Sequence, residues 1–234
     1  MSADRTEVLA RLAAEPSTFD YEGEKNFFNE AVSQVHPYEW LDDDMRLWIP
    51  GFPESLEDKL ILDIGAGEAL QGILLCERYS PKHFVALELV PQRLFAASKR
   101  ANELDALSVL AGDAYRTPFA DATFDVVIGN GALHHMPEPE KVAHEVRRVL
   151  RPGGVFFGRE PNFHNPAIRR RVLRSGDVSP NEWAVYPEEI KRSFGAEGFD
   201  VTIRLFWRRF PWVRGKHFAV SQAIEARLPG GSSS

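Results

Sequence analysis

With 234 residues, 44% of them hydrophobic and 26% charged, the chain is long enough for one α/β domain with a sizeable core and too mixed for a disordered or fibrous protein. A single cysteine, Cys76, argues against disulfides and zinc motifs, and a formal net charge of −6 argues against a broad nucleic-acid surface. No apolar run approaches membrane-spanning length, and the opening MSADRTEVLARLAAE reads as a charged helix rather than a signal peptide, so the cytoplasm is the default expectation.

The first fifty-odd residues are rich in aromatics, among them Phe19, Tyr21, Phe27, Phe28, Trp40 and Trp48. Short helices are expected near 4–14, 24–35 and 41–48, making residues 1–55 a helical cover. Asp42-Asp43-Asp44 supplies caps and charge at a helix start. No partner stands at ligand spacing, so a metal site is not expected there.

Then the pattern changes. An apolar run from Lys59 to Ile64 predicts a strand feeding the turn Gly65-Ala66-Gly67-Glu68-Ala69. A helix follows, with Leu70, Ile73, Leu74 and Cys76 marking its apolar face. Phe84 to Leu89 predicts a second strand, carrying Glu88 23 positions after Gly65. This is a nucleotide-type βαβ unit. Glycines let the backbone approach a ligand, the helix N-terminus attracts negative charge, and the later carboxylate can accept ribose hydroxyls. A dinucleotide G-x-G-x-x-G loop would need glycine where Leu70 stands, and no Gly-Lys-Ser/Thr follows to make a P-loop. A G-x-G-x-G loop would need glycine at position 69, where Ala69 is the smallest departure.

Leu107 to Ala111 predicts a third strand ending at Gly112-Asp113-Ala114. Phe124 to Gly129 predicts a fourth, apolar apart from Asp125 as suits a strand covered on both faces. After Asn130-Gly131-Ala132-Leu133-His134-His135-Met136, a helix shows apolar positions at Val142, Val146, Val149 and Leu150. Arg151-Pro152-Gly153-Gly154 stops it, and Val155 to Gly158 predicts strand five. A variable region, 159–199, holds Glu160-Pro161-Asn162, a basic helix with Arg169, Arg170, Arg171 and Arg174, the loop Ser179-Pro180-Asn181-Glu182-Trp183, and a helix from Pro187 to Gly198. Val201 to Phe206 predicts strand six. Phe218 to Leu228 fits a helical period better than a strand, and Gly230 to Ser234 reads as a flexible tail.

Taken together, LDIGAG at 62–67, ALEL at 86–89, GDA at 112–114, PFADATFDVV at 118–127, LHHM at 133–136 and LRPGGVF at 150–156 resemble the class I S-adenosylmethionine (SAM)-dependent methyltransferases, specifically the small-molecule group. The resemblance spans roughly Lys59 to Glu160. It implies an α/β fold with a doubly wound, mostly parallel sheet over about 56–228 and a substrate-side insertion around 159–187. SAM would bind at the carboxyl ends of strands one and four, with the N-terminal segment folded across it. By motif match, Gly65, Ala66 and Gly67 would approach the methionine part and Asp63 would steer its amino group. Glu88 would accept the ribose hydroxyls, Leu89 would pack on the adenine, and Asp113, with Gly112 and the Ala114 amide, would receive the adenine amino group. Asn130 and Gly131 would lie beside the sulfonium.

The resemblance also implies a seventh strand, antiparallel between strands five and six. Either His217 to Ser221 supplies a short last strand or none is present, and the helical period of Phe218 to Leu228 leads us to expect that strand to be missing or irregular. His134 and His135 stand where the methyl should arrive, and imidazole can act there as a general base, His135 ahead of His134. The alternative is that one of them packs or fixes the loop. The expected reaction is methyl transfer to a small-molecule acceptor, at oxygen ahead of carbon or nitrogen, with a glycan, lipid or natural-product intermediate in view. A non-catalytic SAM-binding scaffold or sensor is one alternative. A nucleic-acid methyltransferase is another, supported only by the basic, aromatic stretch Trp207 to Arg214. Residues 1–150 carry 14 Lys/Arg against 26 Asp/Glu (−12) and residues 151–234 carry 14 against 8 (+6), which reads first as an unevenly charged surface and, as the alternative, as a basic third that faces an anionic acceptor such as a phosphate-bearing sugar or lipid headgroup.

Overall fold

The computed structural model describes residues 19–31, 51–175, 179, 181–206 and 215–230. The helices expected at 4–14 and 41–48, the Asp42–Asp44 triplet and the stretch Trp207 to Arg214 lie outside the described residues.

Seven strands form one sheet: β1 (Leu60–Ile64), β2 (His83–Glu88), β3 (Leu107–Ala111), β4 (Phe124–Asn130), β5 (Leu150–Pro161), β6 (Asp200–Phe206) and β7 (Ser221–Arg227). Their order is β3-β2-β1-β4-β5-β7-β6. The first five run parallel, while β7 is antiparallel to both β5 and β6. Helices α1 (Tyr21–Ala31), α2 (Leu70–Tyr79), α3 (Pro91–Ala101), α4 (Pro139–Val149), α5 (Pro166–Ser175) and α6 (Pro187–Ala196) accompany them. One core lies on each side of the sheet. Phe156, Val142, Val146, Phe194 and Ile224 belong to one, and Phe84, Leu75, Val126, Phe157 and Phe52 to the other. Strands buried from both sides need apolar residues at successive positions, which is why β1 and β4 read as continuous hydrophobic runs.

The expected missing strand is present, which corrects the sequence reading. Ser221-Gln222-Ala223-Ile224-Glu225-Ala226-Arg227 has helix-favouring composition, yet it fills the slot between β5 and β6 and bonds to both from Val155↔Arg227 to Pro161↔Ser221 and from Asp200↔Arg227 to Phe206↔Ser221. Pairing on two sides outweighs a propensity difference worth only tenths of a kcal/mol per residue. The face of α2 also differs. Its buried residues are Gln71, Gly72, Leu75 and Cys76, because Gly72 lies against the Phe84 ring and Leu107, where a Cβ would come within 2.8 Å of the ring. Strand β5 starts at Leu150, earlier than expected. Its pairing with β4 jumps from Phe124↔Leu150 to Val126↔Val155, so Arg151 to Gly154 bulge out of register.

Register brings the chemistry together. Asp63 sits beside Ala86 and Ile128, Glu88 beside Ala111, and Asn130 beside Arg159. The carboxyl ends of β1 to β4 therefore share one edge of the sheet. The strand order reverses between β1 and β4, the place where open α/β sheets leave a crevice.

Candidate active site

That crevice is a cavity of about 270 Å³. Every residue expected to meet the cofactor lines it: Asp63, Gly65, Ala66 and Gly67 after β1; Glu88 and Leu89 after β2; Gly112, Asp113 and Ala114 after β3; Asn130 and Gly131 after β4. His135 lines it too, whereas His134 does not. Phe19, Glu24, Phe28, Gln71, Arg93 and Met136 complete part of the wall and were not singled out as site residues from the sequence. For Phe19 and Phe28 the aromatic richness of the N-terminal region was the available signal. Glu24 gave none.

The loop after β1 is shaped by three left-handed residues, Gly65 (φ 65°), Gly67 (φ 57°) and Ala69 (φ 53°). A Cβ at Gly65 would stand 2.9 Å from the Ala132 Cβ, so the backbone here touches the loop after β4 with no room for a side chain. Ala69 takes a conformation that glycine tolerates far better, at a cost of roughly 1–2 kcal/mol. The spacing of the loop is thus that of G-x-G-x-G in conformation as well as in sequence.

The three carboxylates expected to meet the cofactor are held under different constraints. Glu88 is buried and accepts from the Gly67 N–H (2.7 Å) and the Val90 N–H (3.0 Å), tying β2 to the glycine loop. Asp113 accepts from the Tyr115 N–H and from the Tyr21 hydroxyl, both at 2.8 Å. Burial and the Asp113 charge push the Tyr21 phenol up to about 12. Asp63 is only 2% exposed, and its Oδ1 has no hydrogen-bond partner among the described residues. Burial, reinforced by the charge of Glu88, raises the Asp63 carboxyl well above its ordinary value. The segment that carries Asp113 is pinned at its far end. Buried Glu145 accepts from the Thr117 N–H (2.7 Å) and hydroxyl (2.6 Å), and Arg148 donates to Glu145, Phe119 O and Asp121.

The two histidines have separate surroundings. His134 Nδ1 lies 2.6 Å from Glu160 Oε2, while Glu160 Oε1 accepts from the Ala132 N–H (3.0 Å) and Leu133 N–H (2.8 Å). Burial lowers the His134 imidazole, but the charge and hydrogen bond of Glu160 outweigh it and the net direction is upward. His134 thus fixes the Leu133–His135 3-10 turn, with Trp183 adding bonds to the His134 and Leu133 carbonyls. His135 Nδ1 is 2.9 Å from Ser179 Oγ and 3.3 Å from Glu24 Oε1, and its ring meets Phe28 edge-on. Burial, then the charge of His134, pushes His135 down to about 3, so it is neutral at ordinary pH. Arg93 is the cation of the wall, 4.6 Å over the Phe28 ring. The exposed Arg169, Arg170 and Arg171 of α5 are not part of the cavity wall.

These features suit one ligand chemistry. A cationic amino group satisfies the buried Asp63 oxygen, the side-chain-free glycine loop leaves space for a backbone-hugging chain, and Glu88 and Asp113 retain lone pairs for hydroxyl and amino donors. The methyltransferase-domain family matches residues 62–158. A ubiquinone/menaquinone biosynthesis C-methyltransferase from Roseobacter denitrificans is 31% identical over 68% of this chain and 70% of its own length. The chain belongs to the family of class I SAM-dependent methyltransferases. A malonyl-[acyl-carrier protein] O-methyltransferase from Xylella fastidiosa is 34% identical over 42% of this methyltransferase and 34% of its own length. The chain thus spans well under half the length of some curated relatives, 43% in the case of a rice hydroquinone methyltransferase. In structure, a SAM-dependent methyltransferase from Aquifex aeolicus superposes with a TM-score of 0.62 over 90% of this chain and all of its own, at 20% identity, which speaks for the fold. No helix among the described residues is long and apolar enough to cross a membrane.

Proposed function

We propose that this methyltransferase moves the methyl group of SAM to a hydroxyl of a small-molecule acceptor, with His135 receiving the hydroxyl proton. Bound SAM supplies a methyl group already activated on a sulfonium, so the protein's tasks are alignment, exclusion of water and handling of one proton. In this reading Asp63 holds the amino group of the methionine part, Glu88 the ribose, and Asp113 with Leu89 and Ala114 the adenine. Asn130 and Gly131 flank the reacting end. His135 is the proton acceptor because its ring lines the same cavity as Asp63, Glu88 and Asp113, where His134 does not, and that observation carries the proposal. His134, committed to Glu160, positions the turn. The Xylella relative, by its name, methylates oxygen.

Carbon methylation of an acidic aromatic acceptor is the second reading, favoured by the Roseobacter relative, which is named a C-methyltransferase. Incubating the protein with SAM and a panel of hydroxylated lipids, acyl thioesters, hydroquinones and sugars, and following S-adenosylhomocysteine release, separates the two. A methyl ether or ester product supports oxygen transfer. Methylation confined to ring carbons, or His135→Ala with undiminished turnover, refutes the proposal as stated.

A further inference from the structure

The roof of the cavity comes from a helix far from it in sequence. One turn of α1 presents Tyr21 and Glu24, and the two reach opposite parts of the site: Tyr21 donates to Asp113 Oδ2 (2.8 Å), while Glu24 Oε1 stands 3.3 Å from His135 Nδ1. Glu24 is 3% exposed, and Oε1 makes no hydrogen bond among the described residues. Its other oxygen is fastened by the variable region. Asn181 donates to Oε2 from its side chain (2.8 Å) and backbone (3.3 Å), and exchanges two further bonds with Asp20, accepting from its N–H (2.8 Å) and donating to its carbonyl (3.0 Å). Buried Asn181 therefore spends nearly its whole hydrogen-bonding capacity on the start of α1.

Ser179, two residues earlier, completes the arrangement. Its hydroxyl is 2.9 Å from His135 Nδ1. The Glu24 carboxylate can only accept, so a proton on Nδ1 faces its unpartnered Oε1 favourably and a lone pair there would not; Ser179 Oγ can accept that same proton, and the Nε2 lone pair is left for an acceptor proton. The charged groups around His135 are His134 on the same turn, Glu182 of the variable region, Glu160 of β5, Arg93 of α3 and Glu24 itself.

We propose that Glu24 is the positioning carboxylate of His135: carried over the cavity by α1 and clamped there by Asn181, its Oε1 beside Nδ1 fixes the proton-accepting form of the ring, with Ser179 alongside, so that the base is complete only with this helix docked. The inference rests on the reading of His135 as the proton acceptor. During transfer the acceptor's hydroxyl proton passes to Nε2, the ring becomes an imidazolium, and Glu24 Oε1, already beside Nδ1, faces the new charge. The proton leaves for solvent afterwards. A carboxylate oriented in this way sets tautomer and direction.

The test needs no acceptor. Full-length protein labelled with nitrogen-15 is saturated with S-adenosylhomocysteine, and the His135 ring nitrogens are recorded at neutral pH in wild type, Glu24→Gln, Glu24→Ala and Asn181→Ala, with calorimetry reporting affinity in each. Expected are a single Nδ1–H tautomer in wild type, loss of that single form in Glu24→Ala and Asn181→Ala, and, in Asn181→Ala, affinity within a few-fold of wild type. Glu24→Gln preserves volume if the alanine variant fails to fold, and it too should lose the single form. An Nε2–H ring in wild type, or an unchanged Nδ1–H ring in all the folded variants, overturns the inference while leaving the cofactor site standing. Failure of wild type to bind S-adenosylhomocysteine overturns the reading beneath it instead.

Discussion

Asp63→Asn should make the protein more stable and the enzyme worse. In the free protein Asp63 is 2% exposed, with Oδ1 unpartnered among the described residues and the Glu88 carboxylate nearby, so its ionised form is penalised. Relief of an uncompensated buried polar group is worth about 1–3 kcal/mol. For a chain of this size that raises Tm by roughly 2–4 °C per kcal/mol. The pH dependence has a definite sign. Because the folded-state pKa lies above the ordinary 3.8, the penalty is absent below that value and grows as pH rises towards the folded one. The stability gap between variant and wild type should therefore widen from pH 4 upward in urea titrations. In the role proposed for Asp63 the same substitution removes a charge-assisted bond to the cofactor's amino group, worth about 1.5–3 kcal/mol, so SAM should bind roughly 10- to 150-fold more weakly by calorimetry. A variant less stable than wild type at pH 7, or one with unaltered SAM affinity, refutes the reasoning.

Gly65→Ala combines a left-handed φ with a Cβ placed 2.9 Å from Ala132, and should cost roughly 2–5 kcal/mol in urea unfolding; a loss under 1 kcal/mol would show that the two loops do not meet as described. Asp113→Asn should weaken SAM binding by about tenfold with little change in stability, since the Tyr115 N–H can keep the remaining oxygen and the Tyr21 hydroxyl can accept from the new amide. Glu88→Gln should do both kinds of damage, about 1–3 kcal/mol of stability included, because both carboxylate oxygens hold backbone donors. His134 has a folded-state pKa above the ordinary 6.5, so its pairing with Glu160 contributes fully below that value and fades as pH rises through the higher one. Wild type should exceed His134→Gln in stability by more at pH 6 than at pH 9, and a gap independent of pH would exclude an ion pair.

Where apolar runs decide structure, the sequence was enough. Strands β1, β2 and β4 are buried along most of their length and announce themselves, and each expected cofactor residue sits at the carboxyl end of a strand that could be drawn from the sequence. Strand β7 could not, since Gln222, Ala223 and Glu225 carry no strand signature and take their conformation from the two neighbours. The face of α2 was misread for a related reason, because the small Gly72 is buried where larger residues suggested otherwise. The partners of His135 were out of reach altogether. Glu24 and Asn181 meet across 157 positions, and a glutamate on a short polar helix looks like any solvated charge until the fold brings it indoors.

The place of β7 has a bearing on how the protein is made. On the ribosome, β5 is complete long before residues 221–227 emerge and β6 shortly before, yet the two cannot join, because the strand that separates them does not exist yet. Until then two hydrogen-bonding edges stay open beside an apolar core, which is the condition that invites pairing with other chains. Since β5 also bears Glu160, the anchor of the histidine turn, the catalytic end of the sheet should be among the last parts to acquire its final shape.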